Sequence, residues 1–66
     1  MSKIAMMFKI VSLLQTRFMI SAGELAQMLE TSPRNIKAYI EGLRMADVPI
    51  EGMSGKNGGY FLDRVY

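Results

Sequence analysis

The 66-residue chain has no cysteine and no histidine. Without cysteine it can form neither a disulfide staple nor a thiolate metal site. Without histidine as well, zinc ligation by the common ligand set is excluded. Catalysis would have to rest on carboxylates, lysine, serine or tyrosine held in a cleft. Acidic residues number only six and are scattered along a chain too short to enclose much of a pocket. An enzyme is therefore not expected, and neither is a cofactor or a metal. Long apolar runs are missing too: no segment approaches the roughly 20 residues of a membrane span. The opening "MSKIAMMFKIVSLL" is broken by Lys9 and Ser12 and lacks a small-residue cleavage site, so it does not read as a signal peptide. An intracellular, cytoplasmic protein is the expectation. The net charge of +2 is mild. It permits nucleic-acid binding without announcing it, so the placement of the charges must carry the argument.

What is present is a chain that is half hydrophobic, which argues against disorder. At this length one domain spanning residues 1–66 is expected. A single core of this size rarely supplies more than about 3–5 kcal/mol, and with disulfides and zinc excluded what remains is close packing, oligomerisation or a partner.

Ile4, Met7, Phe8, Val11 and Leu14 recur at helical spacing and predict a first helix over about residues 3–15. Its other side is also apolar, with Met6, Ile10 and Leu13 forming a second stripe. A helix apolar nearly all round is usually buried. Two readings follow for that stripe: it packs under the rest of the same domain, or Met6, Ile10 and Leu13 form the interface of a homodimer. "RFMI", residues 17–20, reads as a short edge strand. Ser21 followed by Glu24 is a capping box and starts a second helix over about residues 22–29, with Leu25, Met28 and Leu29 inward. Ser32 is a good N-cap and Pro33 suits the first helical position, so a third helix covers about residues 33–45. Two short helices across so tight a turn form a helix-turn-helix unit. "PIEGM" and "GGYFL" then read as two strands, joined at Asn57-Gly58 by a turn in which both residues tolerate positive φ. Helix, short strand, helix, helix and hairpin is the order of a winged helix, mainly α with a small β-hairpin.

On the third helix, Ile36, Tyr39, Ile40 and Leu43 share one face. Arg34, Ala38, Glu41 and Met45 point the other way, with Lys37 and Arg44 on one flank and Asn35 on the other. The helix start, Thr31, Ser32 and Pro33, offers free backbone N–H groups to a phosphate. In a helix-turn-helix the N-terminal residues of the second helix reach base edges. Arg34 suits guanine, Asn35 adenine and the Ala38 methyl a thymine methyl, while Lys37 suits a phosphate. The hairpin tip adds Lys56 and Asn57 with little bulk. Arg44 and Arg17 are further candidate phosphate contacts. A solvated helix face explains two basic residues equally well, with Glu41 pairing to Lys37 four residues back. A turn chosen for its φ angles explains the tip glycines but not Lys56.

The stretch "ISAGELAQMLETSPRNIKAYIEGLRMADVPIEGMSGKNGGYFL" resembles the winged helix-turn-helix of the HTH_11 type. That type is found at the N-terminus of WYL-domain and DeoR-like transcription regulators, and in the biotin repressor. The "ELA" helix, the "SPRNIKAYIEGL" helix, "VPIE" and "GGYFL" carry the likeness. The resemblance implies sequence-specific binding of double-stranded DNA by a bacterial-type regulator. Ser32, Arg34, Asn35, Ile36 and Lys37 match the start of the recognition helix, and Lys56 and Asn57 match the wing. The chain departs from the pattern at Asn35, where threonine is typical, and at Ala38 and Tyr39, where a basic and an acidic residue are common. WYL-type members continue into an effector-sensing region, whereas this sequence stops at "DRVY". It is expected to be either a domain of a longer protein or a small stand-alone regulator. The resulting expectation is a DNA-binding homodimer. The alternative is a protein-interaction module on the same scaffold, motivated by Ala38, Tyr39, Glu41, Met45 and seven adaptable methionines. No stacking array of exposed aromatics points to RNA.

Overall fold

The computed structural model describes residues 2–63. Helix α1 spans Lys3–Thr16, α2 Ala22–Met28 and α3 Pro33–Met45, followed by strands β1, Ile50–Met53, and β2, Gly59–Leu62. The expected winged-helix order is present. Each helix starts where a serine can accept a first-turn N–H: Ser2 Oγ from Ala5, Ser21 Oγ from Glu24 and Ser32 Oγ from Asn35, each at 3.1 Å. The capping box of α2 is complete. Pro33 occupies the first turn of α3.

The helices α2 and α3 end by a device the sequence did not signal. After α2, the Thr31 N–H reaches back to the Ala26 carbonyl at 2.9 Å and the Glu30 N–H to Gln27 at 3.4 Å. After α3, the Val48 N–H reaches Leu43 at 3.0 Å and the Asp47 N–H reaches Arg44 at 2.9 Å. Both are Schellman endings, which place one residue in the left-handed region and usually use glycine there. Here those residues are Glu30, φ 55°, and Asp47, φ 67°. The first of these turns is what brings α3 round so soon after α2. A glutamate pays more than an aspartate for this backbone, because Asp hydrogen-bonds locally and tolerates it better. Glu30→Gly is therefore expected to stabilise the chain by about 0.5–1 kcal/mol, raising Tm by roughly 2–8 °C in a thermal melt. A lower Tm would mean that the Glu30 side chain itself stabilises the turn.

The core comprises Met6, Ile10, Leu14, Ile20, Leu25, Ala26, Ile36, Ile40, Leu43 and Ile50. Every element contributes to it, with β2 covering it through half-buried Tyr60 and Leu62. The burial of α1 corrects the expected phase. Met6 and Ile10, assigned to a dimer interface in one of the two readings, lie 5% and 0% exposed in the core. Leu13, the third member, is half-buried beside Met28 and Leu29 of the α2 end. Conversely, Ile4 and Phe8, expected in the core, are 68% and 71% exposed. The buried stripe is thus rotated by roughly 100°, about one residue, from the expected one. The physical reason is that α1 is apolar over more than half its circumference, so spacing alone leaves its rotation free. Packing decides it: α1 crosses α3 at Gly42, where an added Cβ would meet the Met7 side chain.

The two strands pair antiparallel, with Ile50 opposite Leu62 and Met53 opposite Gly59. The expected edge strand at 17–20 is reduced to one bridge, in which Ile20 and Tyr60 exchange both backbone hydrogen bonds at 3.0 and 2.8 Å. Phe18 leaves the ladder and stacks on Phe61 instead, with ring centroids 6.3 Å apart. The hairpin tip also differs from expectation. The positive φ, 109°, belongs to Gly55 rather than to Asn57 or Gly58. Lys56 and Asn57 are the centre of a turn closed by the Gly58 N–H and the Gly55 carbonyl at 3.1 Å. Gly58 serves close approach instead of φ, since a Cβ there would collide with the Met53 carbonyl. No described helix is long and apolar enough to cross a membrane.

Candidate nucleic-acid interface

Helix α3 divides by face. Ile36, Ile40 and Leu43 are buried and Tyr39 packs half-buried against the core. Arg34, Asn35, Lys37, Ala38, Glu41 and Met45 are exposed. Thr31 and Asn35 meet at the helix start, where the Asn35 amide N–H donates to Thr31 Oγ1 at 3.0 Å. An amide group has two N–H donors and a carbonyl acceptor, so this bond leaves Asn35 one donor and its Oδ1 for a base edge. Ser32 Oγ is committed to the cap, while Pro33 has no N–H to offer. The first-turn N–H groups carry the positive end of the helix dipole at the same place.

The electrostatics separate the basic residues into two sets. Among the described residues, the ion pairs are Arg17–Glu24 at 3.2 Å and Arg44–Glu41 at 2.9 Å. Arg34, Lys37 and Lys56 take part in neither, and nor do Lys3 and Lys9 of α1. Glu24 is held below the ordinary carboxylate range, first by the Ser21 backbone N–H and then by Arg17. Glu41, expected to pair with Lys37, pairs with Arg44 instead. The reason is that Arg44 is already fixed nearby: its Nε–H donates to the Ile50 carbonyl at 2.9 Å and its guanidinium lies 5.9 Å from the centre of the Tyr60 ring. Gly52 leaves room for this arrangement, since a Cβ there would sit 3.4 Å from the Tyr60 ring and 3.6 Å from Arg44. Arg44 therefore ties α3 to both strands of the hairpin and acts as a positioning residue.

That tie shapes an open groove of about 520 Å³ between α3 and the hairpin. Lys37 and Arg44 line it from α3, Ser21 and Ala22 from the start of α2, and Ser54 and Gly55 from the hairpin tip. Lys56 and Asn57 project beyond it, exposed. The groove thus has Lys37 and the paired Arg44 on its α3 side and the slim hairpin tip on the other. The sequence had pointed to α3 and the tip. It had not pointed to the Arg44–Tyr60–Ile50 anchor, although Arg44 sits on the flank of α3 that meets the hairpin. Among the described residues, no group of three acidic side chains could hold a metal ion.

No curated protein and no solved structure gives a significant match to the chain. The HTH_11 profile, described as an HTH domain, matches residues 7–61, which includes all of α2, α3 and β1 and all but the last residue of β2. The chain belongs to the HTH_11 family of helix-turn-helix domains, a class that serves DNA binding and transcription regulation.

Proposed function

We propose that the 66 residues act as one winged helix-turn-helix domain that binds double-stranded DNA sequence-specifically in a bacterial-type transcription regulator of the WYL or DeoR-like kind. Helix α3 enters the major groove. Arg34 and Asn35 meet base edges, Ala38 faces a thymine methyl and Lys37 holds a phosphate. Thr31, Ser32 and Pro33 bring the helix start to the backbone, and Lys56 and Asn57 of the wing touch the adjacent phosphates. The observation that carries this reading is the charge of α3 and the hairpin: Arg34, Lys37 and Lys56 are exposed and take part in neither described ion pair, and Lys37 lines the groove beside the paired Arg44.

Three such contacts per chain give modest affinity, so two copies reading two half-sites fit the charge better than one. The protein-partner alternative draws less support from α3. Tyr39 is packed against the core, and Ala38 and Met45 are separated by the Glu41–Arg44 pair. Selection from a pool of random duplexes tests the reading. The expected result is enrichment of a repeated motif with centres about 10–10.5 bp apart, or a multiple of that. Enrichment of nothing, from a pool that the chain does retain at low salt, would reduce the function to non-specific binding.

A further inference from the structure

Asparagine is among the chemically labile residue types. The chain has two, Asn35 and Asn57, and the fold treats them differently. Asn35 lies in the first turn of α3. Its amide donates to Thr31 Oγ1 at 3.0 Å, and the N–H that follows it, on Ile36, donates to the Ser32 carbonyl at 3.1 Å. The branched Ile36 side chain also shields that nitrogen. Asn57 is exposed at the hairpin tip, outside the paired strands. Among the described residues its amide makes no side-chain hydrogen bond. The residue after it is Gly58, whose nitrogen has no side chain beside it and is held by a turn bond to the Gly55 carbonyl at 3.1 Å. Packing requires glycine there, since a Cβ at position 58 would collide with the Met53 carbonyl. The fold therefore keeps an unshielded Asn-Gly step at the tip of the wing, beside Lys56.

We propose that Asn57-Gly58 is a self-modifying site, at which Asn57 deamidates and the wing loses its hold on DNA. The loss of binding rests on the DNA reading, whereas the chemistry does not. In this step the Gly58 backbone nitrogen gives up its proton and attacks the carbonyl carbon of the Asn57 side chain. A cyclic imide forms, and the side-chain nitrogen leaves as ammonia with that proton. Water then opens the ring at either carbonyl, giving aspartate or isoaspartate. Nothing is oxidised or reduced, and water is the co-reactant. Both products put a carboxylate beside Lys56, the charged residue of the tip, which passes from cationic to neutral. Isoaspartate also lengthens the backbone path inside the turn that the Gly55–Gly58 bond closes. The new carboxylate offsets the contact of Lys56 with phosphate. Losing one such contact makes the salt slope shallower by about 0.9 and weakens binding roughly tenfold at about 50 mM salt.

Mass spectrometry of tryptic peptides tests the chemistry, because cleavage after Arg34, Lys37 and Lys56 places Asn35 and Asn57 in separate fragments. The folded chain is aged for days in mildly alkaline buffer. The fragment that begins at Asn57 should gain the mass of an amide-to-acid change, while the Asn35 fragment stays as it was. Anisotropy on a random duplex tests the consequence. The aged chain and Asn57→Asp should both bind about tenfold more weakly than the fresh wild type. Asn57→Gln, which closes an imide ring far more slowly, should keep through ageing whatever affinity it starts with. An Asn57 that survives in the folded chain after a synthetic peptide of residues 54–60 has converted overturns the proposal. So does an Asn57→Asp chain that binds as tightly as wild type with the same slope. A fresh wild-type chain that binds no duplex would refute the DNA reading and with it the loss of affinity, leaving the modification itself to the mass spectrum.

Discussion

Ile10→Ala is expected to remove about 2–5 kcal/mol of stability, whereas Ile4→Ala on the same helix should change stability by less than about 0.5 kcal/mol. Ile10 is fully buried and Ile4 is largely exposed. Removing a buried isoleucine side chain to the β-carbon costs about 2–5 kcal/mol, from lost transfer energy and the cavity left behind. A core in a chain this small rarely holds more than about 3–5 kcal/mol in total. The buried substitution therefore consumes most of the available stability. Urea titration followed by circular dichroism separates the two variants. A larger loss in Ile4→Ala than in Ile10→Ala would mean that α1 packs with the rotation its sequence spacing suggests.

The second large effect is on DNA. Arg34→Ala/Lys37→Ala is expected to lower affinity for a random duplex on the order of 100-fold at about 50 mM salt. The estimate follows from counterion release, in which each neutralised phosphate contributes about −0.9 to the slope of log K against log salt. On a random duplex, where Arg34 has no matching base to read and turns to the backbone, three phosphate contacts from Arg34, Lys37 and Lys56 give a slope near −2.7; the double variant retains Lys56 and a slope near −0.9. Arg44→Met provides the contrast. It removes a cation from the same helix, but one paired with Glu41 and bonded to the Ile50 carbonyl. It should weaken binding by misplacing the wing while keeping the slope near −2.7. A slope reduced by about one unit in Arg44→Met would instead make Arg44 a phosphate contact.

Where two independent signals coincided in the sequence, the fold was legible. Ser32 and Pro33 start α3 while the spacing of Ile36, Ile40 and Leu43 orients it, so both its start and its buried face follow from sequence. Ser21 and Glu24 fix the start of α2 in the same way. Where only one signal existed, or two competed, the sequence misled. Helix α1 carries apolar residues on too many sides for periodicity to set its rotation; the burial of Met6, Ile10 and Leu14 in the shared core sets it, and that is a tertiary fact. The ends of α2 and α3 use Glu30 and Asp47 where glycine is the usual mark, so no local signal announced them. Asn57-Gly58 looked like the pair with positive φ, yet Gly55 takes that conformation and Gly58 is there to clear the Met53 carbonyl. The candidate interface divides similarly. Its cations were visible as residues, but which of them are paired depends on neighbours brought in by folding. Arg17 meets Glu24 across seven positions, and Arg44 is captured by a strand and an aromatic ring of the hairpin.

On a random duplex the free face of α3 and the hairpin tip are expected to engage phosphates through Arg34, Lys37 and Lys56, the cations outside the described ion pairs there. Fluorescence anisotropy of the wild-type chain on a random duplex, at about 50 and about 200 mM salt, tests it most directly. Measurable binding is expected at the lower salt, with an affinity about 40-fold weaker at the higher, the consequence of a slope near −2.7 over a fourfold change. Binding that is absent at low salt, or that is indifferent to salt, would contradict it.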